Sequence, residues 1–250
     1  EYGTGQPLLI LHGLFGQSDN WNTLAKTFAE NGFQVFAIDQ RNHGLSPHND
    51  LWNYETMAED LKELIVEHQL ENPILLGHSM GAKTVLFFEW KYPGLAAKII
   101  IADMAAREYK PHHAIVLKAL NAVDFNTIKT RKEAEAVLNN YLEDFGTKQF
   151  LLKNIYWKDS GNNQMDWRFN LKTINQLYDT IRAAVPEFTS KTKTLIVKGE
   201  NSDYINQQDI EDYKQRFPES KCVTIANAGH WLHAEKPKEF FDCVNEFIKD

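Results

Sequence analysis

Short, unbroken apolar runs recur along this chain, and each of the first three is followed by a stretch of helical periodicity. The runs are Leu8 to Leu11, Val35 to Ile38, Ile74 to Leu76 and Ile99 to Ala102. A run without polar alternation suits a strand covered on both faces, because successive side chains on a strand point to opposite sides. Behind the first run, Trp21, Leu24, Ala25 and Phe28 share one helix face, with Ser18 or Asn20 as candidate caps. Behind the second, Tyr54, Met57, Leu61, Leu64 and Ile65 do the same, and Met80 to Tyr92 reads as a third helix stopped by Pro93. Strand and helix in alternation predict parallel βαβ units, hence an α/β protein with a mostly parallel central sheet flanked by helices.

The alternation is interrupted between Met104 and Lys193, where the pattern is helical and no convincing strand is found. Thr130 and Glu133 form a capping box ahead of Ala134, Val137, Leu138, Tyr141 and Leu142. Asn170 can cap a helix carrying Ile174, Leu177, Tyr178 and Ile181. Strands resume at Thr194 to Val197 and Val223 to Ile225, and Pro237 opens a last helix with Phe240, Phe241, Val244, Phe247 and Ile248 on it. The expected organisation is a core of residues 1–103 and 194–250 under a helical cap, or lid, of residues 104–193. The formal charge of −7 divides the same way: the cap holds fourteen basic and ten acidic residues, the core thirteen and twenty-four.

Composition narrows the classes further. With 43% hydrophobic and 24% charged residues the chain is neither disordered nor fibrous. No apolar run approaches membrane-spanning length, so no membrane span is expected. An acidic balance disfavours nucleic acid as a partner. Cys222 and Cys243 make neither a disulfide framework nor a metal set. No signal peptide opens the chain, which starts at Glu1 and so leaves room for an upstream stretch; a cytoplasmic location is expected.

The chemistry is concentrated in Gly77-His78-Ser79-Met80-Gly81. This is G-x-S-x-G between an expected strand and an expected helix, the context in which a sharp turn presents a serine hydroxyl at the sheet edge. The same turn puts the Met80 N–H at a helix N-terminus, where it can bind an oxyanion. Upstream, His12-Gly13-Leu14-Phe15-Gly16 follows the first strand, and the N–H of Leu14 is the second candidate oxyanion donor. Near the end, Ala228-Gly229-His230-Trp231 follows the last strand, so His230 is the candidate general base.

Taken together, these stretches resemble the α/β-hydrolase superfamily over essentially the whole chain. HGLFGQSDNW, DQRNHGLSPH, LLGHSMGAK, WRFNL and AGHWLHAEKP are similar to those of small bacterial acyl esterases of the YbfF type and their eukaryotic relatives. Asp39 and Arg41, in the second of them, are read as braces for the loops. A Ser–His pair needs a carboxylate to orient it. The usual place is Gly-x-x-Asp after the strand that follows the cap; here Gly199 leads to Ser202 at that position, with Asp203 one residue late. Asp103, directly after the strand ending at Ala102, is the other candidate, with an offset from the serine similar to that in YbfF-type esterases. Asp103 is preferred and Asp203 kept as the alternative.

The resemblance implies a serine hydrolase acting through an acyl-enzyme on a small-molecule ester or thioester, with no cofactor. A serine at position 79 argues against dehalogenases and epoxide hydrolases, which use an aspartate. No metal is expected, since His230-x-x-His233 lacks a third ligand. His112-His113 is read as a solvated feature of the cap. Candidate pocket residues are Phe15, Trp157, Trp167 and Trp231, with packing inside the cap as the competing reading for Trp157, Trp167 and Phe169. A weakly basic cap could favour an anionic leaving group such as coenzyme A by steering. Rival readings are carbon–carbon bond hydrolysis or perhydrolysis on the same triad, and a ligand receptor without turnover.

Overall fold

The computed structural model describes residues 1–159, 161 and 164–250. Among the described residues eight strands occur in chain order: β1 Gln6–Leu11, β2 Phe33–Ile38, β3 Ile74–His78, β4 Lys98–Ala102, β5 Ile155–Asp159, β6 Gln164–Trp167, β7 Lys193–Gly199 and β8 Lys221–Ile225. Six of them form one sheet in the order β2-β1-β3-β4-β7-β8, and every pairing in it is parallel. The ten α-helices among the described residues are α1 Asn22–Glu30, α2 Tyr54–Glu67, α3 Met80–Lys91, α4 Ala114–Asn121, α5 Arg131–Leu138, α6 Phe145–Leu152, α7 Leu171–Leu177, α8 Gln207–Arg216, α9 Leu232–Glu235 and α10 Pro237–Lys249.

The unbroken apolar runs divide between two cores, residue by residue. Leu8 and Ile10 of β1 and Ile74 and Leu76 of β3 pack with Phe28 of α1 and Phe240 and Val244 of α10. Leu9, Leu11 and Leu75 face the other way, onto Met57 and Leu61 of α2 and Val85 and Leu86 of α3. Each strand therefore needs apolar side chains at odd and even positions alike, which is why no polar alternation is visible. Helix α3 is buried on almost every side from Met80 to Glu89, as expected of the element behind the central strand.

Two expectations need correction. The segment between β4 and β7 is not purely helical, because β5 and β6 form an antiparallel hairpin there. Its strands are five and four residues long, and only Ile155, Met165 and Trp167 are buried, so the period-2 signal is too brief to stand out. Ser18 and Asn20 do not cap α1; Ser18–Trp21 is itself a 3₁₀ turn, and the Asn20 side chain accepts from the Gln17 N–H at 2.8 Å. The other caps form as read: Thr130 and Glu133 make a capping box on α5, and Asn170 accepts from the Thr173 N–H at the start of α7. No helix among the described residues is long and apolar enough to cross a membrane.

Candidate active site

The carboxyl ends of β1, β3, β4 and β7 and the loop after β8 converge on one point. At the end of β3 the backbone turns sharply, and Ser79 takes φ 54° and ψ −116°, in the left-handed half of the map. Both glycines of the motif are sterically required. A Cβ on Gly77 would run into the Gly81 carbonyl, and a Cβ on Gly81 into the Leu11 carbonyl of the neighbouring strand. The strained serine is held by bonds to rigid elements: its N–H donates to Ala102 O at 3.1 Å, and its carbonyl accepts from Lys83 N–H at 3.2 Å.

Ser79 Oγ lies 3.0 Å from His230 Nε2, and His230 Nδ1 lies 2.8 Å from Asp103 Oδ2. Asp103 also has a positive φ, 49°, and is fully buried at the end of β4. Its carboxylate accepts from Gly199 N–H at 3.1 Å and from the Ser202 hydroxyl. Burial pushes the Asp103 carboxyl up to about 6, against these two bonds and Lys198, which act in the opposite direction. Desolvation, and then His112, hold His230 below the ordinary imidazole value. A neutral His230 next to a carboxylate carries its proton on Nδ1, which leaves the Nε2 lone pair for the serine hydroxyl.

The loop bearing His230 is braced on both sides. Glu235 accepts from Gly229 N–H at 2.7 Å and Trp231 N–H at 3.2 Å. The His230 carbonyl accepts from His78 Nε2–H at 2.8 Å. Tyr204 stacks flat on the imidazole, with centroids 3.5 Å apart and planes 13° from parallel.

The loop after β1 is pinned by two imidazoles that burial keeps neutral, His12 and His43. His12 Nδ1–H donates to Gly13 O at 2.8 Å, and its Nε2 accepts from Gln40 N–H at 3.1 Å. His43 Nδ1–H donates to Arg41 O, so its Nε2 accepts from Phe15 N–H at 3.3 Å. The Phe15 N–H is thereby occupied, and the Leu14 N–H before it has no acceptor among the described residues. Met80 is the first residue of α3, so its N–H has no intrahelical acceptor. Asp39 and Arg41 do brace loops. Asp39 accepts from Ser18 and Leu45 N–H, and Arg41 pairs with Asp60 at 2.5 Å.

A cavity of about 580 Å³ opens over this point. Ser79, His230, Phe15 and Trp231 line it, together with Phe150, His112 and His113 from the segment after β4.

The profile of the α/β-hydrolase fold matches residues 6–237. The chain belongs to the α/β-hydrolase family. Esterase YbfF of Escherichia coli (strain K12) is 33% identical over 247 residues, covering 98% of this chain and 93% of that esterase. The sn-1-specific diacylglycerol lipase ABHD11 of Mus musculus is 33% identical, covering 96% of this chain and 80% of the lipase. The solved structure of a marine microorganism esterase superposes with a TM-score of 0.95 at 41% identity, covering 99% of this chain and 97% of the other. Within the α/β-hydrolase family the chain therefore resembles small esterases of the YbfF type.

Of the sequence candidates in this α/β hydrolase, Ser79, His230 and Asp103 are brought into one hydrogen-bonded chain. Asp203 is not; it is exposed, and its neighbour Ser202 turns inward to Asp103 instead. Phe15 and Trp231 reach the cavity, whereas Trp157 and Trp167 do not. Trp157 is 52% exposed on the outer side of the β5–β6 hairpin. Trp167 is buried and stacked on Phe169 at 5.3 Å, a packing role. His112 is exposed, as a solvated feature should be, whereas His113 is half-buried with Nδ1 2.7 Å from the Tyr178 hydroxyl; both line the cavity. Tyr204 is not among the sequence candidates, and Ser202 stands out in the sequence only as the serine found where the superfamily usually has its acid.

Proposed function

We propose that this chain is a serine hydrolase of carboxylic esters, with Ser79 as nucleophile, His230 as general base and Asp103 as the orienting acid. The observation that carries the reading is the continuous chain from Ser79 Oγ through His230 to Asp103, at 3.0 and 2.8 Å. His230 Nε2 takes the serine proton as Oγ attacks the ester carbonyl. The oxyanion meets the N–H groups of Leu14 and Met80, each worth about 3–4 kcal/mol by comparison with measured oxyanion donors. The imidazolium is stabilised by Asp103 and then protonates the departing alcohol; water, activated by the same nitrogen, releases the acid. The strain at Ser79 and the pinned loop after β1 mean that little reorganisation is needed during the reaction.

Residues 104–193 act as the cap in this reading, since His112, His113 and Phe150 supply cavity wall from that segment. Esters are favoured over acyl-CoA thioesters. The charged residues at the cavity are Asp19, Glu235 and Lys153, so the basic balance of the cap is not concentrated at the mouth. The names of the relatives, esterase and diacylglycerol lipase, point to esters as well. Free Cys222 and Cys243 suit a reducing, cytoplasmic compartment. The test is steady-state hydrolysis of p-nitrophenyl acetate by the wild type and by Ser79→Ala. Turnover lost in the variant supports the reading; a wild type that binds esters without turnover would favour the receptor alternative.

A further inference from the structure

We infer that the acyl side of the site is a small side chamber of acetyl size, so that the preferred substrates are acetate esters of bulky alcohols. This rests on the serine hydrolase reading and adds which half of the ester goes where. Ser79 stands at the junction of two cavities. The large one, about 580 Å³, is lined by His230 and opens past Trp231 and Phe150. The small one, about 20 Å³, shares Leu14, Ser79, His112, His113 and Tyr204 with it, is walled further by Met80, and does not have His230 among its walls. It has room for about one water-sized group, which is the size of a methyl.

His230 decides the orientation. The alcohol oxygen must come within hydrogen-bond reach of Nε2 to be protonated as it leaves. The alcohol therefore occupies the large cavity that His230 lines, and the acyl chain points into the small one.

The small chamber is not free to dilate, because its aromatic walls are tethered by their own hydroxyls. Tyr54 donates to Ile181 O at 2.7 Å and Tyr109 to Tyr204 O at 2.6 Å. The Tyr178 hydroxyl lies 2.7 Å from His113 Nδ1. Met104 and Ile181, both buried, also line it. Each methylene added to the acyl chain must displace a ring from a buried hydrogen bond, while methylenes added to the alcohol enter open space.

Hexyl acetate and ethyl hexanoate are isomers that differ only in which side of the ester carries the chain, and both leave as simple aliphatic alcohols. We expect kcat/KM for hexyl acetate to exceed that for ethyl hexanoate by at least about tenfold, the low end of what one methylene costs in a fitted pocket. Ile181→Ala, and the milder Ile181→Val should the first fold poorly, are expected to reduce that ratio severalfold by enlarging the chamber. A ratio near one or inverted in the wild type overturns the inference, and so does a ratio unmoved by both folded variants. Absence of turnover on both esters removes the hydrolase reading, and this inference with it.

Discussion

Replacing Asp103 by asparagine tests the triad at the point where two acids compete. In the wild type Oδ2 receives both His230 Nδ1–H and the Ser202 hydroxyl, while Oδ1 receives Gly199 N–H. In Asp103→Asn the amide oxygen stays on Gly199, and the NH₂ turns toward His230. The imidazole then accepts at Nδ1 and carries its proton on Nε2, facing Ser79, where it cannot act as a base. In a serine protease the corresponding change costs about 10⁴ in kcat, or about 5 kcal/mol of transition-state stabilisation. A loss of that order is expected here for p-nitrophenyl acetate. The fold should not suffer. Burial raises the Asp103 carboxyl from 3.8 to about 6, so keeping it ionised at pH 7 costs about 3 kcal/mol, which a neutral amide avoids. The melting temperature of Asp103→Asn is therefore expected at or above that of the wild type. Asp203→Asn, at an exposed position, should keep its activity within about twofold. An Asp103→Asn enzyme within tenfold of wild type, or a dead Asp203→Asn, would refute the assignment.

Two further outcomes follow from buried charges. The acid limb of kcat/KM should lie near pH 6 and belong to the Asp103–His230 pair, because the raised carboxyl protonates as pH falls through that value while His230, held low, remains neutral; full activity at pH 5 would contradict it. Lys83 is fully buried, and its ammonium donates to Arg107 O at 2.9 Å, Arg182 O at 3.1 Å and Ala183 O, close to both ends of the segment between β4 and β7. Desolvation depresses it to about 7, so between pH 7 and 10 the unfolded chain holds the extra proton and stability should rise with pH. Lys83→Met should flatten that rise in a melting series; an unchanged slope would show that Lys83 does not titrate there.

The parts legible in the sequence are those set by neighbours along the chain. Leu8 to Leu11 shows a strand covered on both faces because each residue meets one of two cores, and Gly77 and Gly81 mark the turn because its clashes are local. Asp103 was within reach for the same reason, as the residue that directly follows β4. Tyr204, Ser202, His112 and His113 could not be read this way. Tyr204 meets His230 only because the β7–α8 loop folds across it, and His113 is half-buried beside Tyr178 of a distant turn. The β5–β6 hairpin and the outward placement of Trp157 likewise depend on which side of a short ribbon packs inward, and four or five residues carry too little pattern to tell.

The central claim is that Ser79 carries the acyl group, and a rapid-quench intact-mass measurement during turnover of p-nitrophenyl acetate tests it most directly. The expected result is a transient protein species heavier by one acetyl group, mapped by peptide digestion to Ser79, absent in Ser79→Ala and matched by a burst of nitrophenol of at most one equivalent. Turnover in Ser79→Ala at the wild-type rate, or an acetyl group trapped on any other residue, would contradict it.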